Sequence, residues 1–253
     1  MTDIEKTKGP LPLPTLPAHL TQFEHGFYDA AKKQLFLPLS RLSWVNLVTP
    51  RKNDDGTEKY GCEFIFPKNP ENIKAIQQAV AAAAKKKFGA DNKQWPSMKN
   101  MYRVKDGDVT IETFKKSLED KATLAGGVVD PADLEKIPLQ LTGMYHFSIN
   151  SKDKPGLQNI DGSTITEVSD IYAGAFGLGL ATAYGYDGTD KEGKPLKGVT
   201  FQLQGVVKVA DGEKLSMNAS EPVNLNEAFN LTKPLIDGTA QVSDDELVAF
   251  INV

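Results

Sequence analysis

The chain has 253 residues, of which 40% are hydrophobic and 25% are charged, so it can bury a sizeable core in one large or two small domains. Its net charge of -4 argues against a uniformly basic surface, but allows a local basic groove that is balanced by an acidic segment elsewhere. The single cysteine, Cys62, excludes an intramolecular disulfide and a cysteine-rich metal site, and its apolar neighbours predict a buried small hydrophobe.

Residues 1–38 are predicted to form a Pro-rich N-terminal arm. Prolines at positions 10, 12, 14 and 17 favour extended backbone. The stretch FEHGFYDAAKKQLFLPL that follows is richer in apolar residues, and we expect it to pack on the body or on a partner subunit. We find no secretory signal and no apolar run long enough to cross a bilayer as a helix, which predicts a cytoplasmic protein without membrane contact.

The body is predicted to cover residues 39–220 and to begin with a hairpin. Residues 42–48 and 60–66 have the composition and alternation of strands. A polar loop with a turn at Asp55–Gly56 joins them. Large side chains cluster on one face of the second strand, which predicts that this face is buried.

The clearest helix covers residues 70–88. Pro70 suits a first helical position, Asn69 is a plausible cap, and Lys85–Lys86–Lys87 complement the negative end of the helix dipole. Residues 90–137 are predicted to be an insertion of short polar elements with a helix around 111–120.

Three further strands are predicted at residues 139–149, 171–187 and 199–209. In the second of them one parity carries large side chains, while the other carries only alanine and glycine. Such a bare face either lets another backbone or a flat ligand approach closely, or marks bends where a strand curls around a barrel. After residue 220 the pattern fades, and residues 221–253 are predicted to be an acidic C-terminal tail.

These elements predict a mainly β protein with α insertions, of the α+β class. Five strand segments with one strong helix among them suggest a small curled antiparallel barrel, which is compatible with an OB-fold.

No enzyme, cofactor or metal site is recognised in the sequence. The three histidines, His19, His25 and His146, lack metal-ligand spacing, and a solvated ring is the interpretation that we favour for His146 over a base contact. No phosphate-binding Walker loop and no serine nucleophile elbow are present, and GLGLAT at residues 177–182 lacks the third glycine of a dinucleotide fingerprint.

Aromatic and basic residues are interleaved in the first hairpin, in the insertion and at the turn after residue 149. Aromatic rings can stack on bases while lysine and arginine meet phosphates, so this pattern is typical of a single-stranded nucleic-acid groove. Burial in the core is the competing interpretation for each ring. The candidate nucleic-acid-binding residues are Arg41, Trp44, Arg51, Lys52, Lys59, Tyr60, Tyr102, Arg103, Lys152 and Lys154.

The end of the chain carries its own candidate residues, Asp244, Asp245, Glu246 and Phe250. They are typical of an ordinary surface tail with a docked apolar end. Alternatively, they form a mimic of DNA that competes for the basic groove and recruits partners when DNA displaces it.

The motifs resemble an OB-fold single-stranded-DNA-binding protein family of tailed bacteriophages, formerly a family of unknown function. The resemblance covers about residues 40–210 and depends on the order of its motifs. These are Arg41–Leu42–Ser43–Trp44, Glu58–Lys59–Tyr60, Phe66–Pro67–Lys68, Lys85–Lys86–Lys87, Asn150–Ser151–Lys152–Asp153–Lys154–Pro155–Gly156 and Tyr172–Ala173–Gly174. The Pro-rich arm is longer than the family pattern, and apolar residues follow the acidic cluster at the C-terminus.

The resemblance implies a non-catalytic, sequence-tolerant binder of single-stranded DNA in phage replication, recombination or repair, acting in the cytoplasm of the infected cell. Single-stranded RNA is a second ligand of the same chemistry, and replication proteins of the phage or host are the partners implied for the tail. The long arm is compatible with a homodimer. Two alternatives stay open: a phage structural or assembly protein without nucleic-acid binding, and a nuclease or other DNA-processing enzyme.

Overall fold

The computed structural model describes residues 12–97, 101, 103–189 and 192–215. Within these residues the strands are β1 (Phe27–Asp29), β2 (Gln34–Phe36), β3 (Ser40–Lys52), β4 (Glu58–Pro67), β5 (Lys105–Asp106), β6 (Met144–Ser151), β7 (Gly156–Asn159), β8 (Phe176–Thr189) and β9 (Pro195–Ala210). The helices are α1 (Pro70–Phe88), α2 (Gly107–Leu124) and the single turn α3 (Pro131–Leu134). The protein is therefore mainly β with some helix, as predicted.

The strands form one sheet that closes on itself. Its order is β1-β2-β8-β3-β4-β6-β9-β7, with β5 paired to β6. Strand β8 pairs with both β3 and β9, so β3, β4, β6, β9 and β8 make a closed ring of five strands. The pairings in this ring are antiparallel except between β6 and β9, which run parallel.

The core fills the ring because alternate side chains of each strand point inward. Leu42, Phe64, Phe147 and Leu203 are among the fully buried side chains. Helix α1 adds its alanine-rich stripe to the same core. None of the described helices has both the length and the apolarity needed to span a membrane.

Helix α1 has the bounds that the sequence predicts, because both of its ends carry strong local signals. The Asn69 side chain accepts a hydrogen bond from the backbone N–H of Glu71 at 2.8 Å. Pro70 occupies the first turn, and the chain leaves the helix at Gly89, whose φ is 93°.

The end of the predicted N-terminal arm is part of the sheet. These residues form β1 and β2, and Leu35 and Leu37 are fully buried in the core. Upstream of them, Leu16 packs against Phe176 and Leu178 on the outside of the ring. The apolar side chains of this segment therefore pack on the body of the protein.

The strand predicted to begin at residue 139 begins at Met144. Residues Leu139–Leu141 form a 3-10 turn instead, and Gly143 has a φ of 68°, a conformation that breaks the strand pattern. The buried Leu141 packs with Ile111 of α2 and Ile65 of β4. The insertion thus covers part of the outer face of β4.

The bare face of β8 is used for close packing. A Cβ atom on Gly179 would lie 2.6 Å from the Phe64 ring, and one on Gly185 would lie 2.5 Å from Cβ of Lys87. At these two glycines the alanine- and glycine-only face therefore allows another group to approach the backbone closely, which is the first of the two interpretations. The groups that approach are side chains of the protein itself.

Candidate nucleic-acid interface

A groove with a cavity volume of about 340 Å³ lies on the outer face of the ring. Strands β4, β6, β8 and β9 and the segment before β5 all contribute to it. We call it the β4–β6–β9 groove, and its lining residues are Lys59, Arg103, Phe147, Ser148, Asn150, Ser151, Lys152, Asp153, Tyr184, Thr200, Phe201 and Gln202.

Strand alternation explains the composition of the groove floor. On β6, Phe147 and Ile149 point into the core, so Ser148 and Asn150 point outward. On β9, Phe201 is buried while Thr200 and Gln202 reach the surface. The Phe147 and Phe201 rings meet edge to face at 4.9 Å. A rigid aromatic pair therefore supports an uncharged polar floor.

The rim of the groove is cationic. Lys59, Arg103 and Lys152 are exposed, and within the described part of the chain none of the three forms an ion pair with a carboxylate. By contrast, Lys68 is held by both Asp106 and Asp108 at 2.6 Å. Lys59 also stands directly across from Arg51 on β3. Like charges in that position repel each other, so a bound anion would stabilise this pair of strands.

Trp44 is held in an unusual conformation at the surface. It is 56% exposed, and its φ of 49° lies in the left-handed region that favours glycine. The register of β3 against β4 shifts between Ser43 and Asn46, so Trp44 sits in a β-bulge. The Asn46 side chain donates a hydrogen bond to the Trp44 carbonyl at 3.1 Å. Such backbone strain costs about 1–3 kcal/mol and is typical of binding sites.

The remaining predicted residues that the structure describes do not line the groove. Tyr60 is half-buried and pairs with Ser151, which lines the groove. Arg51 and Lys52 are exposed at the end of β3, and Arg51 donates a hydrogen bond to Asn53. Lys154 is exposed in the loop after β6 but does not line the groove. Tyr102, Asp244, Asp245, Glu246 and Phe250 lie outside the described residues.

Arg41 does not belong to this surface, contrary to the sequence prediction. Arg41 as a whole residue is only 7% exposed, and Nη2 donates a hydrogen bond to the backbone carbonyl of Glu213 at 2.9 Å. A guanidinium that is buried and bound in this way cannot reach a phosphate. Arg41 instead fastens residues 211–215 to the start of β3.

His146 is also buried, although the sequence analysis favoured a solvated ring. Its Nδ1 lies 2.7 Å from Oε1 of Glu63, and its Nε2 lies 2.8 Å from Oγ1 of Thr110 on α2. Ser148 donates a hydrogen bond to the same Glu63 oxygen. The insertion helix covers this ring, and the contacts tie α2 to the groove floor.

Tyr184 is the exposed aromatic residue of the groove, and the candidates taken from the sequence include neither it nor the floor residues Ser148, Asn150, Thr200 and Gln202. Tyr184 is 48% exposed and lines the groove. The only signal was a tyrosine flanked by Ala183 and Gly185 near the end of a strand. In the described residues no cluster of three or more histidine, cysteine or acidic side chains could hold a metal ion.

Comparison with known proteins gives one family. The family model described as "Enterobacter phage Enc34, ssDNA-binding protein" matches residues 33–233. No curated protein sequence matches the chain.

Solved structures of the same fold come from bacteriophage Enc34. The chain is similar to its single-stranded DNA-binding protein in complex with ssDNA, with a TM-score of 0.56 and 19% identity over 81% of this chain and 98% of that one. A second structure of the same phage protein gives a TM-score of 0.53 and 16% identity over 86% of this chain and 98% of that one. A C-terminal truncation of it gives a TM-score of 0.50 and 18% identity over 73% and 90%. At these identities the likeness concerns the fold.

Proposed function

The chain belongs to the family of the Enterobacter phage Enc34 single-stranded-DNA-binding protein, and from this membership we propose that it binds single-stranded DNA without strong sequence preference. Its place is phage DNA replication, recombination and repair in the cytoplasm of the infected cell. Binding is non-catalytic and requires no cofactor.

We assign the ring of β3, β4, β6, β9 and β8 to an OB-fold barrel. An OB-fold is a five-stranded Greek-key barrel that binds oligonucleotides on the face of its second and third strands. In this chain those strands are β4 and β6, and both line the groove. The parallel pairing of β6 with β9 lets the ring close.

The observation that carries the proposal is the combination of a cationic rim with an uncharged polar floor. Phosphates need cations, and Lys59, Arg103 and Lys152 surround the groove without carboxylate partners among the described residues. Bases need polar edges and flat rings, which the floor and Tyr184 supply. Arg51, Lys52, Lys154 and the exposed Trp44 extend this surface beyond the groove.

This composition favours the binding protein over the other two classes. Cations without carboxylate partners around a polar groove are explained by binding of phosphate, and a virion subunit that does not bind nucleic acid gives no reason for them. A nuclease needs carboxylates that converge on a metal, whereas the groove combines three cations with a single carboxylate, Asp153.

The partners follow from the same reasoning. The DNA surface accepts single-stranded RNA too, since phosphate and stacking contacts do not require a deoxyribose. The tail that contains Asp244, Asp245, Glu246 and Phe250 is proposed to compete for the groove and to recruit replication proteins of the phage or host. The N-terminal segment is compatible with a homodimer.

Removal of the rim charges tests the function. Lys59→Ala and Lys152→Ala should each weaken binding to every single-stranded sequence and lower the slope of log K against log salt by about 0.7. Fluorescence anisotropy with a labelled oligonucleotide over a salt series measures both effects. Lys116→Ala, an exposed lysine on α2 outside the groove, is the matched control.

The assay also separates the competing classes. Wild-type protein should prefer a single strand to a duplex of the same sequence. Absence of salt-dependent binding by the folded wild type would refute the function, and equal binding by wild type and both groove variants would place the interface elsewhere.

A further inference from the structure

One row of polar positions crosses the floor of the β4–β6–β9 groove. The strand register places Asn46 of β3 opposite Gly61 of β4, Gly61 opposite Asn150 of β6, and Asn150 opposite Gln202 of β9. Asn150 and Gln202 both line the groove. Two side-chain amides therefore lie next to each other between the cations of the rim.

Gly61 gives the Asn150 amide its position. A Cβ atom on Gly61 would lie 2.5 Å from Oδ1 of Asn150 and 2.5 Å from the backbone carbonyl oxygen of Ile149, so β4 has no room for a side chain at this position. The amide thus extends over the bare backbone of β4 in space that only glycine leaves open. Asn150 is exposed at the same time, so its polar atoms can meet a ligand.

The hydrogen-bonding groups of these amides are largely unused. Among the described residues, the Asn150 side chain forms no hydrogen bond, so it offers both a donor and an acceptor. Nε2 of Gln202 donates to Asp153 Oδ2 at 3.1 Å, which fixes the side chain and leaves its oxygen free. By contrast, the buried amide of Asn72 is bonded through both of its polar atoms.

We propose that Asn150, supported by Gln202, forms direct hydrogen bonds to the edge of one adenine base in the groove. An asparagine amide presents a donor and an acceptor side by side, and these match the 6-amino group and the adjacent ring nitrogen of adenine. This inference rests on the proposed binding of single-stranded DNA, and adds one base-reading position to an otherwise sequence-tolerant surface.

The test removes each side of the contact in turn. Two probes of equal length are compared, an oligodeoxyadenylate and the same oligomer built from unsubstituted purine deoxynucleoside, which stacks but lacks the 6-amino group. Wild-type protein should bind the adenine oligomer about 2- to 12-fold more tightly, the range of one neutral hydrogen bond. Asn150→Ala should bind both probes alike, and its salt dependence should equal that of wild type because no charge is lost.

Gln204→Ala is the control, since Gln204 is an exposed amide outside the groove on β9, the strand of Gln202. It should retain the preference for adenine. Equal binding of both probes by wild type, or a preference that survives in Asn150→Ala, would overturn the inference and leave the DNA-binding function intact. Failure of wild type to bind either probe would overturn both.

Discussion

Replacement of Trp44 by alanine and, separately, by glycine should separate the ring's role in binding from the strain in its backbone. Both substitutions remove the exposed indole, so both should lose the same stacking energy. They differ in the left-handed conformation at φ 49°, which alanine resists and glycine adopts freely.

The expected magnitudes follow from this geometry. The left-handed conformation costs an L-residue about 1–2 kcal/mol, while glycine in a strand loses about 0.5–1 kcal/mol of backbone entropy. Trp44→Gly should therefore be more stable than Trp44→Ala, by up to about 1.5 kcal/mol. Loss of one stacking ring should weaken DNA binding by about 1–3 kcal/mol, or about 5- to 150-fold, in both variants.

Urea denaturation measures the stability difference, and fluorescence anisotropy with a single-stranded oligonucleotide measures affinity. Thr49 on the same strand provides a matched control, because it is exposed and its φ is not positive. At Thr49 the order should reverse, with alanine more stable than glycine. If alanine is at least as stable as glycine at position 44, the bulge does not hold Trp44 as described. If both variants bind DNA like wild type, the ring is not a stacking platform.

Three further outcomes are expected. Hydrogen bonds from Lys68 lower the pKa of Asp106 and Asp108. The stability that these two carboxylates contribute is therefore fully present above their ordinary pKa of 3.8, and it is lost as the pH falls through their lowered pKa values in the folded protein. Melting temperatures measured in acid should thus fall less steeply for Lys68→Ala than for wild type, and parallel curves would contradict this. Burial raises the pKa of the Cys62 thiol, so a thiol reagent should label Cys62 only after unfolding, and rapid labelling of native protein would refute its burial. Removal of residues 240–253, which lie outside the described residues, should raise the affinity for single-stranded DNA, most clearly at low salt; equal or weaker binding by the folded truncation would show that the tail is not a competitor.

Sequence reasoning succeeded where the signal is local. The bounds of α1 follow from Asn69, Pro70 and the lysine triplet, all of which act within one helical turn. The buried face of β4 follows from the alternation of Cys62, Phe64 and Phe66.

It failed where distant segments decide the environment. Arg41 is buried, and its hydrogen-bond acceptor, the backbone carbonyl of Glu213, lies 172 positions away in the sequence. His146 is buried because α2 brings Thr110 over a strand face that looks solvated in the sequence. The positive φ of Trp44 comes from the register of β3 against β4, and no composition rule predicts a tryptophan in a conformation that favours glycine.

The closed ring has a consequence for synthesis of the chain on the ribosome. Strands β3, β4 and β6 emerge in succession, but β6 cannot find its parallel partner until β9 has been made up to Ala210. At about 5–20 residues per second, translation of residues 152–210 takes about 3–12 s. During this interval the part of the β6 edge beyond its short pairing with β5 is unpaired, and a chaperone or a second nascent copy of the chain can bind to it.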